Sequence, residues 1–166
     1  MINSYKNNHY ERIGILSTEE VFPYIAENFH HRSTKCKVNI KTFYVNVNSL
    51  RLRTFYHSGV ECHYCGIIGT YFAIEKTPGN DHTGYHLNLY GIDKSNNEIL
   101  FTHDHIIAKA FGGENKLHNT QTMCGPCNWS KGRLEQQIAN SERNKLSDEE
   151  ISELHTQINR YKKVTV

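Results

Sequence analysis

The chain has 166 residues, 37% of them hydrophobic, and 19 Lys and Arg against 17 Asp and Glu give it a formal net charge of +2. That size and apolar content support one compact domain or a core with appended helices. The near-balanced charge argues against a globally positive surface, so any nucleic-acid contact must come from local basic clusters. No stretch approaches the length of a membrane span and no export signal is visible, so the expectation is a cytoplasmic protein without a membrane partner.

Ser17-Thr18-Glu19-Glu20 has the pattern of a capping box and predicts a helix over residues 18–29, which must accommodate Pro23. From 36 to 47, Val38, Ile40, Thr42 and Tyr44 alternate with Lys37, Asn39, Lys41, Phe43, Val45 and Val47, the period of a strand or an irregular β segment. A short helix over 51–56 leads to a Cys-x-x-Cys knuckle, Cys62 and Cys65, followed by Gly66. Residues 70–75 and 85–90 read as strands joined by a loop through Pro78, Gly79, Asn80 and Asp81, and 93–97 as a turn. Ile99-Leu100-Phe101-Thr102 has the β-branched and aromatic content of a strand that delivers Asp104 and His105 to its end. Chain reversal is cheap at Gly112-Gly113. Residues 119–123 read as the returning strand, ending on Cys124 of a second knuckle that Cys127 completes. From Pro126 or Cys127 to Ala139 the composition is helical, with Gly132 the weak point. A second capping box, Ser147-Asp148-Glu149-Glu150, opens a last helix in which Ile151, Leu154, Ile158 and Tyr161 recur at helical spacing, the pattern of a helix that packs back on the domain.

A two-residue spacer lets both sulfurs of a knuckle reach one ion from a tight turn, and zinc in a structural role takes a closed shell of thiolates. Cys62, Cys65, Cys124 and Cys127 are therefore expected to hold a structural Zn2+. The gap between the knuckles exceeds the roughly 15 to 20 residues usual for such sites, so an insert must leave and return. Two disulfides or four unrelated core cysteines are the alternatives. A fifth cysteine, Cys36, and the absence of an export signal speak against disulfides, and Cys36 itself reads as a small, buried or half-buried thiol.

Phosphodiester hydrolysis needs a base that deprotonates water and a cation that neutralises charge on the phosphate and the leaving oxygen. The carboxylate of Asp104 suits a magnesium-like ion, and the imidazole of His105 suits the role of base. Asn128, at the helix start, offers an amide oxygen as a second ligand, and Asn119 offers hydrogen bonds that keep the loop and His105 aimed. Simple alternation puts Asp104 and His105 on opposite faces, so one site can use both only if the strand ends or twists there. His103 shares a face with His105 and is either an auxiliary ligand or phosphate contact, or a solvated strand-end histidine. His118 reads as structural or exposed, and His30, His31, His82 and His86 as solvated. Lys131 and Arg133 follow on the helix and read as DNA-phosphate contacts or as ordinary exposed positions. Arg51/Arg53, Lys109/Lys116 and Arg160/Lys162/Lys163 are further basic clusters.

Asp104-His105-Ile106-Ile107, Gly112-Gly113, Asn119, Cys124-x-x-Cys127-Asn128 and Lys131-Gly132, in that order, resemble the HNH endonuclease family, the zinc-bearing branch of the ββα-metal nucleases. The chain is similar in particular to small HNH proteins common in bacteriophage genomes, which also carry a first knuckle of the Cys62-x-x-Cys65-Gly66 type. The resemblance covers residues 51–133. It implies an α+β fold with a ββα-metal core stapled by a four-cysteine zinc site, a β-strand insert between the knuckles and flanking helices. The expected division is an N-terminal helix and strand extension over 1–50, the nuclease core over 51–140 and a C-terminal helix over 141–166. The resemblance also implies that His105 is the general base, Asp104 a metal ligand, Asn119 the residue that orients the loop and Asn128 the residue that completes the metal shell. Asn rather than His at that last position favours Mg2+ or Mn2+ over a second zinc. The implied activity is cleavage of DNA, expected to be double-stranded, leaving 5′-phosphate and 3′-hydroxyl ends, with a phage-encoded protein in a bacterial host as one setting. A catalytically inactive zinc module that binds nucleic acid or protein, and a nuclease for RNA or structured DNA, are the competing readings.

Overall fold

The computed structural model describes residues 10–31, 33, 35–79 and 84–162; Asn80 and Asp81 of the expected loop, His82 and Lys163 lie outside them. The chain is an α+β fold, as its sequence predicts. It begins with a strand that the sequence reading lacks, β1 (Glu11–Ser17). Its apolar residues do not alternate, because a bulge between Arg12 and Gly14 shifts the register, and its outer face leaves Ile15 58% exposed. Ser17 then caps α1 (Thr18–Asn28) through the expected box: its hydroxyl accepts from Glu20 N, and the Glu20 carboxylate accepts from Ser17 N.

Residues 36–47 fold as a hairpin rather than one strand, β2 (Lys37–Ile40) against β3 (Phe43–Asn46). Lys41 takes φ 57° in the two-residue turn. Such turns demand positive φ, and Lys-Thr carries none of the Gly or Asn that announces one. Ser49 caps α2 (Leu50–Ser58), which leads to the first knuckle. The insert supplies β4 (Gly69–Lys76) and β5 (His86–Ile92), followed by β6 (Glu98–His105) and β7 (Thr120–Cys124). Together with β1 they form one five-stranded antiparallel sheet in the order β1-β4-β5-β6-β7. The chain closes with α3 (Gly125–Ala139), a single turn α4 (Ser141–Asn144) and α5 (Asp148–Asn159), the last capped by the expected Ser147/Glu150 box.

Alternation along the strands sorts the sheet into two faces. Leu16, Phe72, Ile74, Leu87, Leu89, Ile99 and Phe101 form a buried core with Val21 and Ile25 of α1 and Leu52 and Phe55 of α2. On the opposite face α3 packs against β6 and β7. Over the other strands that face carries a polar network. Arg12 donates to both Glu98 oxygens (2.6 and 2.9 Å) and to Glu75, and its guanidinium lies 4.6 Å from the Tyr90 ring centroid. Buried Glu75 also accepts from Asn88 and Tyr90, so its charge is fully engaged. The pairing of β5 with β6 is short, from Tyr90↔Leu100 to Ile92↔Glu98; beyond it β6 pairs with β7 alone. The two halves of the sheet therefore part company where β6 carries its histidines. The C-terminal helix packs on α3, and Tyr161 stacks on Tyr64 of the first knuckle with ring centroids 4.0 Å apart.

Phe101 of β6 is fully buried in the core shared with α1 and α2. Phe101→Ala is expected to lower unfolding free energy by about 3–5 kcal/mol, read as a lower midpoint in urea denaturation.

Candidate active site

The four knuckle thiols lie with their sulfurs within 4.8 Å of one another. A tetrahedron with metal–sulfur bonds of about 2.3 Å has edges of about 3.8 Å, and Cys65 Sγ and Cys124 Sγ are 3.7 Å apart. The cluster could hold a structural metal such as zinc, and all five cysteines are free of disulfides. Backbone bonds shape the first knuckle: Cys62 N donates to Ile67 O, Gly66 N donates to Cys62 O, and Gly66 takes φ 74°. His63 N donates to Thr122 O at 3.0 Å and ties this turn to β7. Because Cys124 ends β7 and Cys127 lies in the first turn of α3, an ion here would fix the strand-to-helix corner. Crowding makes a cation necessary if all four are to ionise: the Cys124 thiol is pushed up by its neighbour Cys62 and by burial, and Cys127 is pushed up to about 12, chiefly by burial. Cys36 is a half-buried thiol that donates to Asn28 Oδ1.

The strand β6 neither ends nor twists before Asp104. It runs in register through Asp104↔Gln121 and His105↔Thr120, so Asp104 and His105 leave it on opposite faces. Thr102 and Asp104 face α3. There the Asp104 carboxylate accepts from Lys131 Nζ at 3.0 Å and from Gln121 Nε2 at 2.8 Å. Lys131 Nζ also reaches Glu135 Oε1 at 2.7 Å and donates to the His105 carbonyl at 2.7 Å. Lys131 is 0% exposed and Asp104 5%, so the expected contact of Lys131 with nucleic acid is corrected: its ammonium is an interior counter-charge, while Arg133 stays outside. Two carboxylates, Asp104 and Glu135, share this one ammonium and leave one formal negative charge in excess. Burial pushes the Asp104 carboxyl up, and Lys131 and Gln121 oppose that push. Gln121 also donates to Tyr161 O at 2.6 Å. Both of those partners only accept, so the orientation of the amide is fixed. Asn128 Nδ2 donates to Thr102 Oγ1 at 2.6 Å, which places Asn128 over the same strand face as Asp104.

Sequence reasoning missed Gln121 and Glu135. Glu135 carried a signal, four residues beyond Lys131 on the same helix, whereas Gln121 is set opposite Asp104 by the register of the returning strand.

His103 and His105 occupy the other face, with ring centroids 5.5 Å apart. His105 Nε2 lies 2.9 Å from Asn115 Oδ1. With the Asn115 carbonyl as acceptor, Nε2 carries the proton and Nδ1 is the free base. Asn119 staples the intervening loop: its Oδ1 accepts from Ile107 N, its Nδ2 donates to the carbonyls of Ile107 and Glu114, and its own carbonyl accepts from Ile106 N. Gly112, at φ 82°, and Gly113, where a Cβ would overlap the Ile107 carbonyl, let the loop turn under this staple. His118 is exposed and paired with Glu114, whereas His103 is half-buried rather than solvated. On the outer face of α3, Trp129 is 70% exposed with the Arg133 guanidinium 5.0 Å from its ring centroid.

Residues 92–141, from the end of β5 through β6, the stapled loop, β7 and α3, match the family model for HNH endonuclease. Over that segment the chain is similar to HNH endonucleases. No curated protein and no solved structure matches the chain. The HNH segment contains Asp104, His105, Asn119 and Asn128, together with Gln121, Lys131 and Glu135, while α1, α2, β1 to β4 and α5 lie outside it. No helix among the described residues is long and apolar enough to cross a membrane.

Removing the shared cation should be costly. Lys131→Met is expected to destabilise the fold by about 3–5 kcal/mol, because Asp104 and Glu135 lose the ammonium they share, measured by denaturant unfolding of both proteins in the same buffer. Burial, and then the charges of His105, Arg51 and Lys109, push the His103 imidazole down to about 4. An unfolded histidine titrates near 6.5, so the unfolded chain binds the proton first. The His103 contribution to stability is complete above that value and is lost as pH falls from about 6.5 towards 4. NMR of the imidazole nitrogens should find His103 neutral at pH 5.5; a half-protonated ring near pH 6.5 would contradict this burial.

Proposed function

We propose that the chain is a metal-dependent endonuclease that hydrolyses DNA phosphodiesters, with His105 as the general base and a divalent ion held by Asp104 and Asn128. The observation that carries this reading is the HNH match over a strand–loop–strand–helix unit in which Asn119 and Asn115 hold the segment around His105. The donor set suits the ion. Asp104 has two oxygens with lone pairs beyond those used by Lys131 and Gln121, the Asn128 amide has a carbonyl oxygen as well as the nitrogen bound to Thr102, and the buried cluster has a negative charge in excess. Two oxygen ligands suffice for magnesium or manganese, which keep several waters. When bound, the ion supplies Lewis acidity at the phosphate and the departing oxygen.

The chain's own residues do the rest. His105 Nδ1 takes a proton from the attacking water, whose oxygen forms a bond to phosphorus as the bond to the 3′ oxygen breaks. A 5′-phosphate results, and the departing 3′ oxygen takes a proton from solvent water to become the 3′-hydroxyl. Asn115 fixes the tautomer, Asn119 fixes the loop, and Lys131 holds the backbone carbonyl of His105 while its charge balances Asp104. The four cysteines hold zinc as a structural ion away from this chemistry. The favoured substrate is duplex DNA, contacted from outside by Arg133 and Trp129.

The engagement of Asp104 by Lys131 and Gln121 favours a second reading, a zinc-stapled module that binds nucleic acid without cutting it. Supercoiled plasmid separates the two. Protein with its zinc retained should nick or linearise it when magnesium or manganese is added, and His105→Ala should slow this by about 100-fold or more with zinc content and melting temperature unchanged. Equal cleavage by His105→Ala would remove His105 as the base. Binding without cleavage under magnesium, manganese and nickel would establish the second reading.

A further inference from the structure

Among the described residues, Arg51 is a cation without an ion-pair partner. It stands in the first turn of α2, which contains no acidic residue, so the helix N-terminus disfavours its charge. Its Nη2 donates to the Leu87 carbonyl at 3.2 Å. Glu75 is near enough for its charge to be felt, but both Glu75 oxygens are engaged by Arg12, Asn88 and Tyr90. Arg53, on the same helix, is differently placed, with its guanidinium 5.1 Å from the Phe29 ring centroid.

The position of Arg51 gives its charge a use. Leu87 lies in β5 beyond the short run that pairs with β6, so Arg51 reaches into the opening where the two strands separate. The other side of that opening is the β6 segment bearing His103 and His105, on the face against which α2 packs. The charge of Arg51 is felt by His103 there and by His86 on β5. Arg51, His103 and His105 thus approach one region from a helix and a strand, and Arg51 brings to it N–H groups beyond the one bonded to Leu87. A planar guanidinium held by one bond, with further N–H groups, suits a tetrahedral oxyanion.

We propose that Arg51, with His103 and His105, forms a site for a backbone phosphate of nucleic acid, in which Arg51 donates to a non-bridging oxygen of the phosphodiester presented to His105. The link to the scissile phosphate rests on the reading of His105 as the base; phosphate binding itself does not. Arg51 lies outside the segment that matches the HNH family, so the guanidinium is the preceding chain's contribution to this site.

The test is binding of a short fluorescent DNA duplex to the full chain, zinc retained and magnesium and manganese omitted, across a range of sodium chloride. Arg51→Met should weaken binding about tenfold or more at low salt and reduce the slope of log affinity against log salt by about 0.9, the value of one phosphate contact. Arg51→Lys, which keeps the charge but not the fork, should keep the slope. Unchanged affinity and slope in a folded Arg51→Met protein would overturn the proposal. If Arg51→Met fails to fold, the wild type decides: the Arg51 Nε–Hε NMR signal must shift on adding duplex, and a signal that stays in place overturns the site. Because no cleavage is measured, an inactive protein leaves this site standing, and loss of this site leaves the nuclease reading standing.

Discussion

The ammonium of Lys131, sealed inside the protein, is the point to which the rest of the HNH unit is fastened. It joins α3 to β6 through Asp104, to its own helix through Glu135 and to the end of the strand through the His105 carbonyl. A buried ion pair is weak evidence for net stability, because desolvating both charges offsets most of their attraction. What it provides is a geometric requirement. A helix that slid or rotated over β6 would strand a charge in a dry environment, so the crossing of α3 over the hairpin is fixed by a penalty rather than by a large apolar interface. Gln121 extends the requirement outward, since its amide is shared between Asp104 and the carbonyl of Tyr161 and so couples the C-terminal segment to the same carboxylate.

Such polar fastening suits a unit with little core of its own. The face of α3 that meets β6 and β7 is built on Asn128, Lys131 and Glu135, and its buried residues are Lys131 and Ile138. The hydrophobic core lies on the other side of the sheet, beneath α1 and α2. A strand-to-helix corner outside that core would gain from a metal staple, and the two knuckles that could hold one meet there, with His63 bonded to β7 and Tyr64 stacked on Tyr161. The long insert between the knuckles is thereby explained in structural terms. Its strands β4 and β5 lengthen the sheet so that β1, α1 and α2 can bury an apolar face, while the ends of the insert return to one cluster of sulfurs.

Signals carried within a few residues were legible in the sequence. Both capping boxes, both knuckles, the strand pair of the insert and the strand–loop–strand–helix order follow from local pattern. The missed elements lacked such a signal: β1 has a bulge and an exposed apolar face, and the β2–β3 turn uses Lys41 at positive φ without a glycine. In the site, the roles that depend on which face a residue takes were the hard ones. Lys131 reads as exposed only if α3 is considered alone. Once Asn128 is turned towards the strand, Lys131 at three residues on and Glu135 at seven share its face, and Arg133 at five points away. Gln121 was equally hidden, because its importance comes from strand register.

The two faces of β6 differ in charge, and that difference bears on how one strand end can serve one reaction. Towards α3 lie Asp104 and Glu135 with a single ammonium between them, a region short of positive charge. Towards α2 lie His103 and His105 with Arg51 nearby, a region short of negative charge. On the proposed reading, a cation belongs to the first side and a phosphate to the second. Because Asp104 and His105 are adjacent, only the edge of the strand separates the two, and the loop that Asn119 staples begins at that edge. In the proposed reaction the phosphate is held from the side of Arg51 and His105 and neutralised from the side of Asp104 and Asn128. Strand alternation, which at first sight keeps base and metal ligand apart, is then what lets them approach the same phosphate from opposite sides.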